Sequence, residues 1–191
     1  ALVGIFVNLI VGLSVGPNAV LANLIGQNKR ERISGMMHTI LAFGLILGGG
    51  LMVIGMLTAR TILELSGTPE SVMGQALLYI WIYFTGIPFI VICNFGSAIL
   101  RSFGDTRHPM YYLIISGVVN VALNLFLVIC FHMGVAGVAI ATVISNILSA
   151  ALVLICLYRR DDEFQFRFRR LRLEKDGLSK VLVIGIPSGI Q

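Results

Sequence analysis

The chain has 191 residues, 57% hydrophobic and only 12% charged, with a mean hydropathy of +0.94 and a formal net charge of +5. A soluble domain usually carries about 25% charged residues, so an ordinary water-soluble globule is excluded. Cys93, Cys130 and Cys156 lie in separate apolar stretches and offer no disulfide framework.

Charge-free runs give the elements in chain order. Ala1 to Asn28 opens the chain already inside a span, with no starting Met, charged n-region or small-residue cleavage site, so it does not read as a signal peptide. Met36 to Ala59, Ser71 to Leu100, Pro109 to Phe131 and Met133 to Tyr158 follow, each 23 to 30 residues long. About 20 apolar residues cross a hydrocarbon core of roughly 30 Å. A sixth run starts near Val181 and reaches Gln191, too short to cross. The pattern predicts an all-α, polytopic membrane protein and a segment of a longer one. Gly16-Pro17 and Gly86-Ile87-Pro88 predict kinks, because Pro removes a backbone donor and crowds the preceding turn.

The connections set the topology. Lys29, Arg30 and Arg32 follow the first span, and Arg101 and Arg107 follow the third. Eight more basic residues, Arg159 to Lys180, follow the fifth, so 13 of the 14 Lys and Arg residues fall on alternate connections. Arg60 alone lies on the other side, beside Glu64 and Glu70. The positive-inside rule makes the basic loops cytoplasmic. Charge placed this way speaks for a membrane and against nucleic acid. The long segment RRDDEFQFRFRRLRLEKDG, punctuated by Phe164, Phe166 and Phe168, reads either as an interfacial stretch against anionic lipid or as a solvated linker.

Small residues mark packing faces. Gly12 and Gly16 form a GxxxG, and Gly137, Ala141, Ser145 and Ser149 recur at every fourth position. The polar residues within spans are Asn8, Asn18, Asn23, His38, Asn94, Ser116, Asn120, Asn124, Thr142 and Asn146. Ser116, Asn120 and Asn124 share one helix face, as do Thr142 and Asn146. A short turn joins their spans, so the two stripes are expected to face each other. They read as amide glue between helices, or as hard oxygen ligands for a small cation. His38 reads as an interfacial histidine near the cytoplasmic end of its span. GxxxxGK[ST], HExxH and CxxC motifs are missing, and Asp161-Asp162-Glu163 is a single acidic cluster in a loop. With no carboxylate inside a span, an intramembrane enzyme is disfavoured.

ILRSFGDTRHPM, Ile99 to Met110, resembles the LRxxGDTxxPM signature of multidrug and toxic compound extrusion (MATE) transporters. GPNAVLANLIGQNKRER, GVAGVAIATVISN and GIPSGIQ match further family segments in order. The resemblance covers the whole chain. It implies helices two to seven of a twelve-helix antiporter with two six-helix lobes. Residues 1–158 would be the amino-terminal lobe without its first helix, 159–178 a basic cytoplasmic connector, and 179–191 the start of the second lobe. The signature itself, Arg101, Gly104, Asp105, Thr106 and Pro109, reads as a structural corner. Asp105 and Thr106 are candidates to cap the next helix, and Arg101 or Arg107 to pair with Asp105.

The resemblance further implies a cation site. In that family it combines an Asp from helix one, an Asn and an Asp four residues apart on helix five, and a Thr on helix six. These fall on Asn120, Asn124 and Thr142, with Asn124 standing where the family has Asp. An amide can ligate Na⁺ but cannot carry a proton. Asn94, Ser116 and Asn146 are candidate cavity-lining residues.

The leading expectation is therefore a multi-pass protein of the cell membrane, bacterial inner membrane, exporting amphiphilic or cationic compounds in exchange for Na⁺ or H⁺. No organic cofactor, metal beyond Na⁺, nucleic acid or disulfide partner is expected. A lipid-linked oligosaccharide flippase and a non-transporting helix bundle are the alternatives.

Overall fold

The computed structural model describes residues 2–159 together with 179, 181 and 183. Every regular element among them is helical. In order these are α1 (Leu2–Leu13), α2 (Val15–Gly26), α3 (Arg30–Leu65), α4 (Glu70–Thr85), α5 (Ile87–Ser102), α6 (Arg107–Leu125), a π-helical turn (Phe126–Cys130) and α7 (Gly134–Tyr158).

Helices outnumber spans because two spans are broken, both at the expected prolines. Pro17 has no N–H for the Leu13 carbonyl, and α1 gives way to α2 at Ser14. The Ser14 hydroxyl turns back to donate to the Val11 carbonyl at 2.6 Å. Pro88 likewise separates α4 from α5 at Gly86, whose own N–H tightens onto the Tyr83 carbonyl at 2.9 Å. The α4–α5 pair still forms one apolar stretch, Glu70–Ser102, long enough to cross a membrane. Arg32–Leu65, Arg107–Cys130 and Gly134–Tyr158 are the others, and the shorter Ile10–Gly26 is apolar too. Successive spans run back and forth. The α2–α3 loop, the α5–α6 turn and the end of α7 therefore lie at one end, and this is the basic end. At the opposite end Arg60 is paired with Glu64, Nε to Oε1 2.9 Å.

α5 is the centre of the bundle, packed against α2, α3 and α7. Val91, Phe95, Ala98, Ile99 and Leu100 on it are fully buried. Close approach depends on missing side chains. A Cβ on Gly96 would run into Val153 Cγ1 of α7, and one on Gly55 of α3 would run into the Phe84 ring of α4. The buried Gly137, Ala141, Ser145 and Ser149 place the small-residue stripe inside the bundle, as expected.

His38 departs from expectation. It is 1% exposed, and its Nδ1 lies 2.6 Å from the Ser34 carbonyl. α3 begins at Arg30, so position 38 is about 12 Å up the helix at ~1.5 Å per residue, well inside the packed layer.

α6 is the edge helix. It packs mainly on α7, and Ser116 is its one buried residue. Leu113, Ile114, Val118, Val121 and Leu125 are exposed, an apolar face suited to hydrocarbon. The expected connector over 159–178 lies outside the described residues apart from Arg159. Beyond it, Ser179, Val181 and Val183 are helical, and Val181 is buried in the core.

Candidate functional site

The π turn and the His132–Met133 reversal bring α7 back antiparallel along α6. His132 supports the reversal in the left-handed region, at φ 53°, where only a few non-glycine residues go. The register pairs position 116 with 149 and 120 with 145. Ser149 donates to Ser116 Oγ at 2.7 Å, and Asn120 Nδ2 donates to Ser145 Oγ at 3.1 Å. Asn120 Nδ2 also approaches Thr142 Oγ1 at 3.5 Å. One turn along, Asn124 Nδ2 donates to Asn120 Oδ1 at 3.0 Å.

The hydroxyl hydrogens of the seam are already committed. Thr142 donates to the Val138 carbonyl at 2.9 Å and Ser145 to the Thr142 carbonyl at 2.8 Å. Continuing the register sets Asn124 opposite Ala141, a buried methyl with no hydrogen to give. Asn124 Oδ1 is accordingly buried with no hydrogen-bond partner among the described residues. A buried acceptor left alone costs about 1–3 kcal/mol. Glue and ligand thus separate by residue. Asn120 ties α6 to α7, whereas Asn124 presents an oxygen that nothing in the seam satisfies.

Sequence reasoning brought Asn120 to Thr142 correctly but read Ser145 and Ser149 only as packing. The antiparallel register about the 131–133 turn is the signal that pairs them with Asn120 and Ser116. The π turn after Asn124 carried no signal, since Phe126-Leu127-Val128-Ile129-Cys130 is uniformly apolar.

Beside the seam is a cavity of about 500 Å³ between α4–α5, α6 and α7. Asn94, Ser116 and Asn146 all line it, with Ser149, Cys93 and Ser97. Asn94 Nδ2 is turned back onto the Ile90 carbonyl at 2.8 Å. Asn146 sits against the Gly86 break, where an added Cβ would lie 3.5 Å from its Nδ2. Thr142 and Asn146 therefore divide, one facing the seam and the other the cavity. Ser116 and Ser149 belong to both.

Arg101, Thr106 and Pro109 line the same cavity at its basic end. The corner is built as a turn, with Gly104 at φ 81°. The capping expectation is half met. Asp105 Oδ1 accepts the His108 N–H at 3.2 Å, while Thr106 makes no side-chain cap. Among the described residues the partner of Asp105 is His108, Nδ1 to Oδ2 2.7 Å, rather than Arg101 or Arg107. The imidazole is only three residues on and lies over the carboxylate as the helix starts.

The family model MatE matches residues 1–126. The chain belongs to the MatE family. Among its relatives, the Bacillus subtilis proteins "Probable multidrug resistance protein YoeA" and YpnP are each 32% identical, over 97% and 96% of this chain. A Shewanella oneidensis relative named "FAD transporter" is 26% identical over 91% of it. The chain spans 42% and 41% of the two Bacillus proteins. Solved MATE transporters share its fold. One in a bent conformation superposes with a TM-score of 0.92 at 24% identity, covering 99% of this chain and 42% of that one. Inward-facing and outward-facing structures each superpose with a TM-score of 0.90, covering 97% and 98% of this chain and 42% of theirs. This MatE segment is a multi-pass membrane bundle.

Proposed function

We propose that this MatE chain is the greater part of the amino-terminal lobe of a secondary antiporter that exports amphiphilic or cationic compounds. Its likeness to inward-facing and outward-facing transporters alike, at a TM-score of 0.90 in both cases, carries the reading. A lobe that keeps one shape in two access states suits a mechanism in which lobes rock as rigid bodies about a central cavity. The Bacillus relatives, each named as a probable multidrug resistance protein, support a drug cargo.

The coupling ion in this reading is Na⁺. Asn124 Oδ1, Asn120 Oδ1 and Thr142 Oγ1 are hard neutral oxygens along the seam, and among the described residues the first has no donor. No amide exchanges a proton, so H⁺ coupling would need a carboxylate from outside these residues. Binding of Na⁺ in one access state more than the other would supply the drive. The 159–178 segment would serve as cytoplasmic connector, its basic residues near anionic lipid. The decisive measurement is ethidium efflux from cells or vesicles carrying the full-length protein. Efflux should stop when the sodium gradient is collapsed at constant proton gradient. Efflux that survives collapse of both gradients would refute antiport.

A second reading rests on Arg101, a cation at the cavity's basic end, and on the relative named for FAD transport. A diphosphate-bearing cargo would use that guanidinium, as would the diphosphate of a lipid-linked sugar. Arg101→Ala would then impair FAD export while sparing ethidium.

A further inference from the structure

A second convergence of chemistry stands apart from the α6–α7 polar seam, at the basic end of the bundle. Asp105 comes from the α5–α6 turn, His108 from the first turn of α6, and Cys156 from the last turn of α7. One ligand-capable atom from each lies within 4.8 Å of the other two. Tetrahedral Zn²⁺ holds N, O and S ligands roughly 3.3–3.8 Å from one another, so the set can close on an ion once the Asp105–His108 contact opens from 2.7 Å and gives up its hydrogen bond. The carboxylate is held by the backbone, through the His108 N–H on Oδ1 at 3.2 Å, and its second oxygen meets the imidazole at 2.7 Å. Cys156 is a half-buried free thiol, and the exposed His108 leaves the cluster open to solvent.

We infer that Asp105, His108 and Cys156 form a three-ligand site for a borderline-soft divalent ion of the Zn²⁺ class, with water in the fourth position. The donor set decides the class. Mg²⁺ and Ca²⁺ take oxygen ligands throughout, whereas one imidazole, one thiolate and one carboxylate suit Zn²⁺. Binding releases the thiol proton to solvent, since the thiolate is the ligand. The ion would staple the start of α6 to the end of α7, three residues before Arg159. Of the four long spans the one built on α6 is the least buried, so a second anchor at its basic end matters most there. The inference stands independently of the coupling ion and of the cargo.

The test uses the full-length protein, purified without a polyhistidine tag and titrated with Zn²⁺ against a chromophoric chelator. One equivalent should bind, raising the melting temperature, while Mg²⁺ and Ca²⁺ shift nothing. His108→Ala and Cys156→Ser should each weaken binding by at least about tenfold, and Cys130→Ser should leave it intact. Both substitutions fall at the bundle's end, and melting without metal reports whether either has disturbed the fold. Substitution with Co²⁺ should give a thiolate-to-metal absorption band that Cys156→Ser abolishes. Absence of stoichiometric binding overturns the inference. So does binding that survives both substitutions, or that is lost only when Asp161, Asp162 and Glu163 are replaced by their amides.

Discussion

Asn120 and Asn124 are both intramembrane amides on one face of α6, yet the seam gives them opposite roles that unfolding measurements can separate. Asn124→Leu removes one bond within α6, to Asn120 Oδ1, worth about 0.5–1.5 kcal/mol. It also moves the lone acceptor from Asn124 Oδ1 to Asn120 Oδ1, so the number of orphans stays the same. Asn120→Leu removes that bond and the one to Ser145, about 1–3 kcal/mol together. It further strands the Asn124 N–H₂ group, adding about 1–3 kcal/mol, for a loss of about 2–6 kcal/mol. The double substitution loses the same two bonds but leaves no orphan, recovering about 1–3 kcal/mol relative to the wild type. It should therefore lie close to wild-type stability and clearly above Asn120→Leu alone. Denaturant unfolding of the full-length protein in one fixed detergent, in choline chloride, reads the ladder. Repeating it in NaCl should stabilise only the wild type, by about 1.4 kcal/mol at tenfold excess over Kd. A double variant no more stable than Asn120→Leu would refute the orphan-acceptor account. A sodium shift retained by Asn124→Leu would refute ligation.

Other substitutions probe packing and the corner. Gly96→Ala should cost about 1–3 kcal/mol by driving a methyl into Val153. Gly117→Ala on α6 meets nothing within 4 Å and should stabilise by about 0.4–1 kcal/mol, both read by thermal melting. Ser149→Ala deletes the buried bond to Ser116. It should cost ~0.6–1.7 kcal/mol and loosen α6, seen as faster hydrogen exchange at its amides. Asp105→Ala should cost about 0.5–2 kcal/mol as a lost cap, with Asp105→Asn retaining most of it in the same melts.

Much of this architecture is legible because a bilayer leaves few choices. Charge-free runs must be helices, and Pro17 and Pro88 break theirs wherever the missing N–H falls. Facing stripes on Ser116–Asn124 and Thr142–Asn146 follow from period and a short turn. What the pattern could not give was register. A difference of one turn decides whether Asn124 meets Ser145 or Ala141, and only the second leaves its oxygen bare. The π turn that helps fix that register is backbone geometry without a residue signature. His38 misled for a related reason. Charge runs locate where a span meets water, but α3 extends beyond its charge-free run and carries the histidine into the core.

The amide at position 124 also constrains how a cation could be held. Neutral oxygens leave a bound Na⁺ with its full charge, and an uncompensated charge in a low-dielectric interior is costly. A carboxylate about 4 Å away would offset up to about 4 kcal/mol at an effective dielectric of 20, before its own desolvation is subtracted. Asn124→Asp introduces that carboxylate on the same backbone, with the same reach as the unpaired Asn124 Oδ1. The substitution should tighten Na⁺ binding by at least about tenfold even after desolvation takes half the gain. It should also make binding pH-dependent. The ionised form holds the cation, and a proton competes for it, so affinity falls as pH falls; the wild-type amides give no such slope from this position. Calorimetric Na⁺ titration of both proteins across pH decides the matter. Equal affinities at high pH would show that compensation is already complete from elsewhere, and a parallel slope in the wild type would place the titrating group away from positions 120 and 124.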